Sequence, residues 1–139
     1  MSHFHHLSVS FLPKQRSPMK TIKVSDETYE AIKGQIEQVP AVQKNGMKYV
    51  ICRTYSAGVF AGYLASRNGQ EVVMHEARRL WYWDGASTLS QLSVDGPKKP
   101  TNCKFPVAVE KIELLQAIEI LECTEIAKKS IQEVAIWEQ

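Results

Sequence analysis

Strand-forming residues fill Tyr49-Val-Ile-Cys-Arg-Thr-Tyr55 and Val59-Phe-Ala-Gly-Tyr-Leu64, and Asn68-Gly69 separates the second run from Glu71-Val-Val-Met74. β-branched and aromatic residues dominate the first two runs, and such residues favour strands. Ser56-Ala-Gly58 interrupts them with small residues. Asn-Gly is a common dipeptide of tight hairpin turns. The stretch therefore predicts an antiparallel sheet built from consecutive hairpins.

Weaker patterns continue from this sheet toward the C-terminus. Residues 87–94 predict a short helix with Ser87 as its N-cap. Isoleucines alternate with a glutamate in residues 112–121, which favours a strand over a helix. Thr124 is expected to cap a second short helix over residues 125–131.

The N-terminal part of the chain shows no such pattern before residue 19. Residues 1–18 lack periodicity and are expected to be a flexible tail or an upstream extension, because they bury too little to offset their ordering entropy. Residues 19–46 predict a strand–helix assembly segment, with a strand at 22–24 and a helix from 25 to 39. The apolar stripe of this helix suits a neighbouring subunit or the protein's own sheet, and it consists of Tyr29, Ile32, Ile36 and Val39.

Length and composition describe one ordinary globular domain. The 139 residues are 44% hydrophobic and 23% charged, which is enough for one core and excludes two full catalytic domains. A formal net charge of +2 is too small to indicate general nucleic-acid or membrane-surface binding. No window approaches the roughly 18 apolar residues of a membrane span, and the N-terminus lacks the charge order of a signal peptide. Three cysteines without C-x-x-C spacing suit reduced thiols, so we expect a cytoplasmic protein.

These patterns predict an α+β fold. We expect an antiparallel sheet with an N-terminal helix and short C-terminal helices. The predicted segments are a tail at 1–18, the assembly segment at 19–46 and a ligand-binding core at 47–139.

Motifs for catalysis are missing from the chain. It has no G-x-S-x-G elbow, no P-loop, no G-x-G-x-x-G and no usable metal-ligand spacing. His75 is the only histidine after residue 6, so a Cys-His or Ser-His pair would depend on it. We therefore expect a binding protein without enzymatic activity, metal or cofactor.

Arginines, small residues and aromatics are concentrated in two stretches, residues 53–59 and 76–86. Glycine and small residues let a ligand approach the backbone closely. A guanidinium binds phosphate oxygens in a forked geometry, and tryptophan or tyrosine rings stack on a base. This mixture suits a nucleotide-like anion carrying a purine. Trp81, Tyr82 and Trp83 also suit a core or a subunit interface, because each ring buries a large area.

The same stretches carry a family resemblance. Arg53-Thr-Tyr-Ser-Ala-Gly-Val59 and Arg78-Arg-Leu-Trp-Tyr-Trp83 resemble small phage and prophage proteins, and the match continues through Ser87-Thr-Leu-Ser-Gln-Leu92 and Asn102-Cys-Lys-Phe105. It covers about residues 47 to 137. Those proteins are similar in turn to the Thoeris anti-defence family of phage sponge proteins.

The resemblance implies an anti-defence protein in the host bacterial cytosol. Such a protein binds a cyclic ADP-ribose isomer made by a TIR-domain defence enzyme and sequesters it without degrading it. The resemblance also implies homo-oligomers, with a hexamer as the expected size and pockets at subunit boundaries. In some members a separate site binds the cyclic oligonucleotides of CBASS defence.

Candidate ligand-binding residues follow from this ligand. Arg53, with Arg78 or Arg79 as the second arginine, is expected to neutralise the pyrophosphate. Neighbouring side chains alternate along a strand, so at most one of Arg78 and Arg79 faces the pocket. Further candidates are the backbone from Ser56 to Gly58 near the pyrophosphate, Trp81 or Trp83 stacked on the base, and Gln91 at a ribose or base edge.

Two alternatives stay open from the sequence. Residues 19–33 resemble the strand and first helix of ribbon-helix-helix DNA-binding proteins, although Pro40 and Gly46 occupy the place of a second helix. Lys98, Lys99 and Lys104 add a basic loop that suits phosphates or plain solvation. The first alternative is a phage accessory or regulatory protein that binds nucleic acid, and the second is a cyclic-nucleotide hydrolase.

Overall fold

The computed structural model describes residues 4–9, 20–25 and 38–139. The chain divides into two compact units, Met1–Val39 and Pro40–Gln139. No helix in the described part of the chain is both long enough and apolar enough to cross a membrane.

The described part of the first unit is a two-stranded antiparallel ribbon. Strand β1 (Phe4–Val9) pairs with β2 (Lys20–Ser25), from Phe4 opposite Ser25 to Val9 opposite Lys20. The strand predicted at residues 22–24 is therefore confirmed, and β1 falls within the segment predicted as a tail. Most of the helix predicted from 25 to 39 falls on residues 26–37, which lie outside the described residues. Its first position, Ser25, belongs to β2, and residues 38 and 39 are not helical.

The second unit confirms the predicted antiparallel sheet and the short helices after it. Every strand in the five-stranded sheet is antiparallel to its neighbours, and the strand order is β6-β5-β4-β3-β7. Its elements are β3 (Lys48–Thr54), β4 (Val59–Asn68), β5 (Glu71–Arg79), α1 (Leu89–Asp95), a 3₁₀ turn (Pro100–Asn102), β6 (Val109–Leu114), β7 (Ala117–Glu122) and α2 (Glu125–Glu133).

The hairpin turn between β4 and β5 lies one residue further along than Asn68-Gly69 predicts. Asn68 is still a strand residue, because it pairs with Glu71. The two-residue connection is Gly69-Gln70, and Gly69 has a φ of +62°, in the left-handed region that favours glycine. The sequence therefore identifies the hairpin correctly and misplaces its centre.

The strand predicted over residues 112–121 is two strands in the structure. Leu115 and Gln116 separate β6 from β7. The bend is held by two backbone hydrogen bonds, from the Tyr55 N–H to the Gln116 carbonyl at 2.9 Å and from the Ala117 N–H to the Gln70 carbonyl at 3.0 Å. Because β6 pairs with β5 and β7 pairs with β3, one bent stretch of chain forms both edges of the sheet. The sheet therefore curls toward a barrel.

Two hydrophobic cores result from this curl. Alternate residues of β3 point to opposite faces, so Val50 and Cys52 pack in one core and Tyr49 and Ile51 pack in the other. The inner core, on the concave face, contains Val50, Cys52, Phe60, Val72, Met74, Ala77, Leu114 and Ala117. The outer core lies between the sheet and the helical segments and includes Ile51, Ala61, Leu80, Leu92, Phe105, Ala127 and Ile131.

A β-bulge in β5 changes which residues face each core. Ala61 pairs with Arg78 and Tyr63 pairs with His75, so Glu76 and Ala77 together lie opposite Gly62. A Cβ on Gly62 would lie 2.8 Å from the His75 carbonyl oxygen, so only glycine permits this close approach. Glu76 occupies the left-handed region with a φ of +51°.

Side-chain caps define where both helices begin. The sequence predicts Ser87 as the cap of α1, but the cap is Thr88, whose hydroxyl accepts the Gln91 N–H at 3.1 Å. The Thr124 cap of α2 is confirmed, since its hydroxyl accepts the Ala127 N–H at 3.1 Å. Ser87 comes one residue too early, because the Thr88 carbonyl accepts the first helical hydrogen bond, from the Leu92 N–H at 3.0 Å.

Candidate functional site

The loop between β3 and β4 is a compact turn built around Thr54. The Thr54 N–H and hydroxyl both donate to the Gly58 carbonyl, at 3.0 and 2.8 Å, and the Thr54 oxygen accepts the Ala57 N–H at 2.9 Å. Gly58 has a φ of +105°, so this position requires glycine. The loop therefore holds the backbone of residues 55–58 in one fixed shape at the end of the sheet.

Arg79 packs beside this loop. Its guanidinium lies 4.4 Å from the centre of the Phe60 ring, and one of its terminal N–H groups donates to the Ala57 carbonyl. The same nitrogen would lie 3.5 Å from a Cβ on Gly58. The structure thus brings together Arg79 and the small-residue loop, two features that the sequence places 21 positions or more apart.

Arg53 lies at the same end of the sheet but on the other face. It pairs with Val59, which packs against the outer core, whereas Arg79 pairs with Phe60 of the inner core. The Arg53 Nε donates to the Glu119 carboxylate at 3.2 Å, and both side chains are nearly half exposed. The two arginines therefore flank the loop from opposite sides.

Ser56 faces the bend between β6 and β7. Its hydroxyl donates to the Gln116 side-chain oxygen at 3.3 Å, in an exposed contact. The hydroxyl is therefore beside the loop backbone and accessible from solvent.

Arg78 is buried, and its guanidinium binds the protein's own backbone. Its three nitrogens donate to the carbonyls of Pro106 at 2.9 Å, Ile131 at 2.9 Å and Phe105 at 3.0 Å. Burial lowers the pKa of Arg78 from its ordinary value. Through these hydrogen bonds, Arg78 of the sheet holds two other parts of the chain in place: the segment after the 3₁₀ turn and the C-terminal end of α2. Of the two neighbouring arginines, Arg79 is the one beside the loop.

The three aromatic residues after β5 lie in different environments. Trp81 is 65% exposed and Tyr82 is 50% exposed, while Trp83 packs against the outer core. Lys104 pairs with Tyr82 through the backbone, and its ammonium lies 5.9 Å from the centre of the Tyr82 ring. The ring of Trp81 is therefore the most available for stacking, and Trp83 mainly contributes to packing.

The side chain of Gln91 takes part in the cap of α1. Its amide oxygen accepts the Ser87 N–H at 3.1 Å and the Ser87 hydroxyl at 2.8 Å. Its amide NH₂ group makes no hydrogen bond to any residue of 38–139 and is the part of the side chain that can still reach a ligand.

The three cysteines are buried and form no disulfide with one another. Burial raises the pKa of Cys52 and Cys103, and it raises the pKa of Cys123 to about 12. Their thiolate forms are therefore disfavoured at neutral pH, and the thiols are poor nucleophiles. Within the described residues no three His, Cys, Asp or Glu side chains are grouped to hold a metal ion.

Two cavities open on the second unit, and the sequence analysis identifies neither. One, of about 390 Å³, lies between the β4–β5 hairpin and β7 and is lined by Arg67, Gln70 and Glu119. The other, of about 360 Å³, is lined by Tyr49, Glu76 and Gln132, together with Arg78, a residue that the sequence analysis proposes for a different role. These residues come from distant parts of the chain, so no local motif could have indicated them.

Comparisons with known proteins give one match. No curated protein and no solved structure matches the chain. A family model described as "Domain of unknown function (DUF6948)" matches residues 47–131, which contain the five-stranded sheet, α1, most of α2 and the candidate site. This is more than half of the chain, and the protein therefore belongs to the DUF6948 family.

Proposed function

We propose that the protein binds and sequesters a cyclic ADP-ribose signalling nucleotide in the host bacterial cytosol, and so blocks Thoeris-type immunity. This is the activity implied by the resemblance to the sponge family. Phage anti-defence proteins of this kind leave their ligand intact. Cyclic oligonucleotides of CBASS defence are further candidate ligands.

The observation that carries the proposal is the arrangement around the β3–β4 loop. Arg79 lies against the loop backbone at Ala57, and the Leu80 N–H donates to the Val59 carbonyl at 2.8 Å, directly after Gly58. Trp81 follows at once and is 65% exposed. A cation and a glycine turn therefore lie together at the end of β5, and an exposed indole follows two positions later in the chain.

This combination matches the chemistry of the proposed ligand. The pyrophosphate of cyclic ADP-ribose carries two negative charges, which a guanidinium neutralises while donating hydrogen bonds to the oxygens. Its adenine offers a planar face on which an indole stacks. Arg79 and Trp81 are the residues we assign to these two roles, and Arg53, Ser56 and Gly58 complete the surroundings.

Sequestration sets a requirement on affinity. A sponge must bind its ligand at the concentration that the signal reaches in the cell. A nanomolar Kd corresponds to a binding free energy of about −12 kcal/mol. A small site reaches this value only when it is preorganised and well closed. The exposure of Trp81 and Tyr82 favours closure by a second subunit, so we propose that the protein acts as a homo-oligomer.

Titration calorimetry with cyclic ADP-ribose isomers tests the proposal. We expect tight binding by the wild-type protein and a loss of at least about tenfold, or about 1.4 kcal/mol, in the Arg79→Ala and Trp81→Ala variants. Arg53→Ala is expected to weaken binding as well. Arg67→Ala, which removes a guanidinium near the other end of the β4–β5 hairpin, is the matched control and should bind normally.

Two outcomes would contradict the proposal. Absence of binding heat with every isomer would remove it, and so would equal losses in Arg79→Ala and Arg67→Ala. Ligand extracted after long incubation should be chromatographically intact, because conversion to a product would indicate the hydrolase alternative instead.

Nucleic-acid binding is the second candidate, and the Tyr82 surface favours it. The Lys104 ammonium lies 5.9 Å from the Tyr82 ring centre and 5.7 Å from the Trp137 ring centre, and Lys98 and Lys99 are nearby in the chain. Basic groups beside exposed aromatic rings bind single strands by stacking and charge. A gel shift that weakens steeply with salt supports this candidate, and no shift at low salt removes it.

A further inference from the structure

We propose that the free edge of β7 binds an extended peptide segment of another protein, one with aliphatic side chains at alternate positions and a carboxylate between them. The binding site is the cavity of about 390 Å³, which has Arg67, Gly69 and Gln70 on one side and residues 117–120 on the other. We call this cavity the edge groove. The inference does not depend on the nucleotide proposal, because the edge groove contains none of the residues assigned to the nucleotide.

The backbone of β7 has hydrogen-bonding groups that β3 does not use. The Cys123 N–H donates to the Tyr49 carbonyl at 3.0 Å. Backbone bonding to a neighbouring antiparallel strand recurs at every second residue, so on β7 it includes Leu121 and Glu119. The N–H and C=O of Ile120 therefore point away from β3, and within residues 38–139 no strand pairs with β7 on that side. Such an unpaired edge is a template for an added strand.

The β4–β5 hairpin limits what this edge can accept. The Ala117 N–H donates to the Gln70 carbonyl at 3.0 Å, so the hairpin already occupies the first position along the edge. Further along, the edge groove separates the hairpin from β7, and a Cβ on Gly69 would have no atom within 4 Å. A volume of about 390 Å³ is in the range of small-ligand sites. It suits a few extended residues, whereas the sheet edge of a folded molecule would meet the hairpin.

The two edge strands of the sheet differ in how they are protected against pairing. Natural sheets protect an edge strand with exposed charges. Strand β6 follows this rule, since its three charged residues are exposed and form no ion pair within residues 38–139. On β7, Glu119 is paired with Arg53 at 3.2 Å. Glu122 is paired with Lys48 at 2.8 Å. The charges of β7 are therefore compensated, and β7 is the edge that remains open to a partner strand.

The side chains of the edge groove define the chemistry of the peptide. Ile118 is 45% exposed, and both Ile118 and Ile120 line the groove. Aliphatic side chains of an added strand pack against such residues as cross-strand neighbours. Arg67 also lines the groove and forms no ion pair with another residue of 38–139, whereas Glu119 is already paired. The groove therefore has a net positive charge, which favours a peptide with a carboxylate.

A synthetic peptide, acetyl-Thr-Val-Glu-Val-Thr-amide, is the probe. It is titrated into the ¹⁵N-labelled full chain and followed by NMR. We expect saturable shifts over residues 67–70 and 117–122, with the Ile120 amide proton moving downfield because it gains an acceptor. The same peptide methylated on its three central amide nitrogens should bind at least about fivefold more weakly, because it loses backbone hydrogen bonds. Replacing its glutamate by lysine should weaken binding about tenfold, through the lost contact with a charged group.

Variants of the protein test the two side-chain contacts. Arg67→Glu is expected to reverse the preference, so that the lysine peptide binds more tightly than the glutamate peptide. Ile118→Glu should weaken the glutamate peptide about tenfold, because it replaces an apolar contact by a like charge. The matched controls lie on β6, where Lys111→Glu makes the same change of charge and Val109→Glu changes an aliphatic residue that is 44% exposed. Both controls should bind the glutamate peptide as the wild type does.

Four outcomes would overturn the proposal. They are an absence of saturable shifts in the edge groove, equal binding of the N-methylated peptide, equal binding of the lysine peptide, and equal losses in the β6 and edge-groove variants. Shifts at residues 117–122 that depend on protein concentration without any peptide would assign this edge to a second copy of the chain instead. Failure of the nucleotide proposal leaves these titrations unaffected, since they contain no nucleotide and alter none of the residues assigned to it.

Discussion

Two arginines adjacent in sequence have separate environments in this protein. Arg78 points to the outer face and bonds to three backbone carbonyls, whereas Arg79 points to the inner face and lies over Phe60 beside the Ala57 carbonyl. Their separation follows from strand alternation. Single-residue substitutions therefore distinguish a structural arginine from one that is available to a ligand.

Arg78→Met is expected to lower the free energy of unfolding by about 3 kcal/mol, because it leaves three carbonyls of Phe105, Pro106 and Ile131 without their donor. Urea unfolding followed by circular dichroism measures this change. Arg67→Met, at an exposed position, should stay within about 0.5 kcal/mol of the wild type. A loss of similar size in both variants would contradict the structural role of Arg78.

At the scale of elements, Thr124 connects the two helices through three hydrogen bonds. Its N–H donates to the Ser93 carbonyl at 3.0 Å, and its hydroxyl donates to the Val94 carbonyl at 2.5 Å and accepts the Ala127 N–H at 3.1 Å. The first two bonds reach helix α1 and the third caps helix α2. One threonine thus fixes how the two helices meet over the outer core.

Thr124→Ala is expected to destabilise the protein by about 2 kcal/mol, at the upper end for an N-cap, since a bond between helices is lost with the cap. Thr124→Ser keeps the hydroxyl and should lose less than about half of that amount. Thermal unfolding at constant protein concentration compares the two. An equal loss in both variants would assign the effect to the methyl group instead of the hydroxyl.

At the scale of the whole molecule, both cores lie in the second unit. Strand β3 contributes to each of them, and the bend at Leu115 and Gln116 brings β6 and β7 to opposite edges of the sheet. Among residues 38–139, neither core uses a residue before Ala41. Residues 41–134 therefore carry the packing that a stable domain requires.

We accordingly expect residues 40–139 to fold without the preceding segment. A protein shortened to these residues should show the circular dichroism of an antiparallel sheet and unfold in one cooperative transition. Broad, non-cooperative melting would show that the first unit is needed for folding. Gel filtration beside the full chain then tests the assembly role of the helix predicted at residues 25–39, since an unchanged oligomer size would exclude it.

The local elements of this fold were determined by the sequence alone. Residues 49–55, 59–64 and 71–74 predict their strands, the region of Asn68 predicts the hairpin, and Thr124 predicts a helix cap, because each depends on neighbours within a few positions. The split of residues 112–121 into two strands was not predictable in this way. Its cause is a pair of hydrogen bonds to Tyr55 and Gln70, which are more than 40 positions away.

The candidate functional site also depends partly on the local sequence and partly on the tertiary structure. Composition and the Arg53 to Val59 motif predict a nucleotide ligand. Only the tertiary structure shows that Arg78 donates to the Phe105 carbonyl, whereas Arg79 donates to the Ala57 carbonyl in the loop. The cavity of Tyr49 and Glu76 depends on a bulge opposite Gly62 and on a C-terminal segment 60 residues later. Short-range preferences determine where strands and helices form, whereas long-range packing decides which side chains remain available to a ligand.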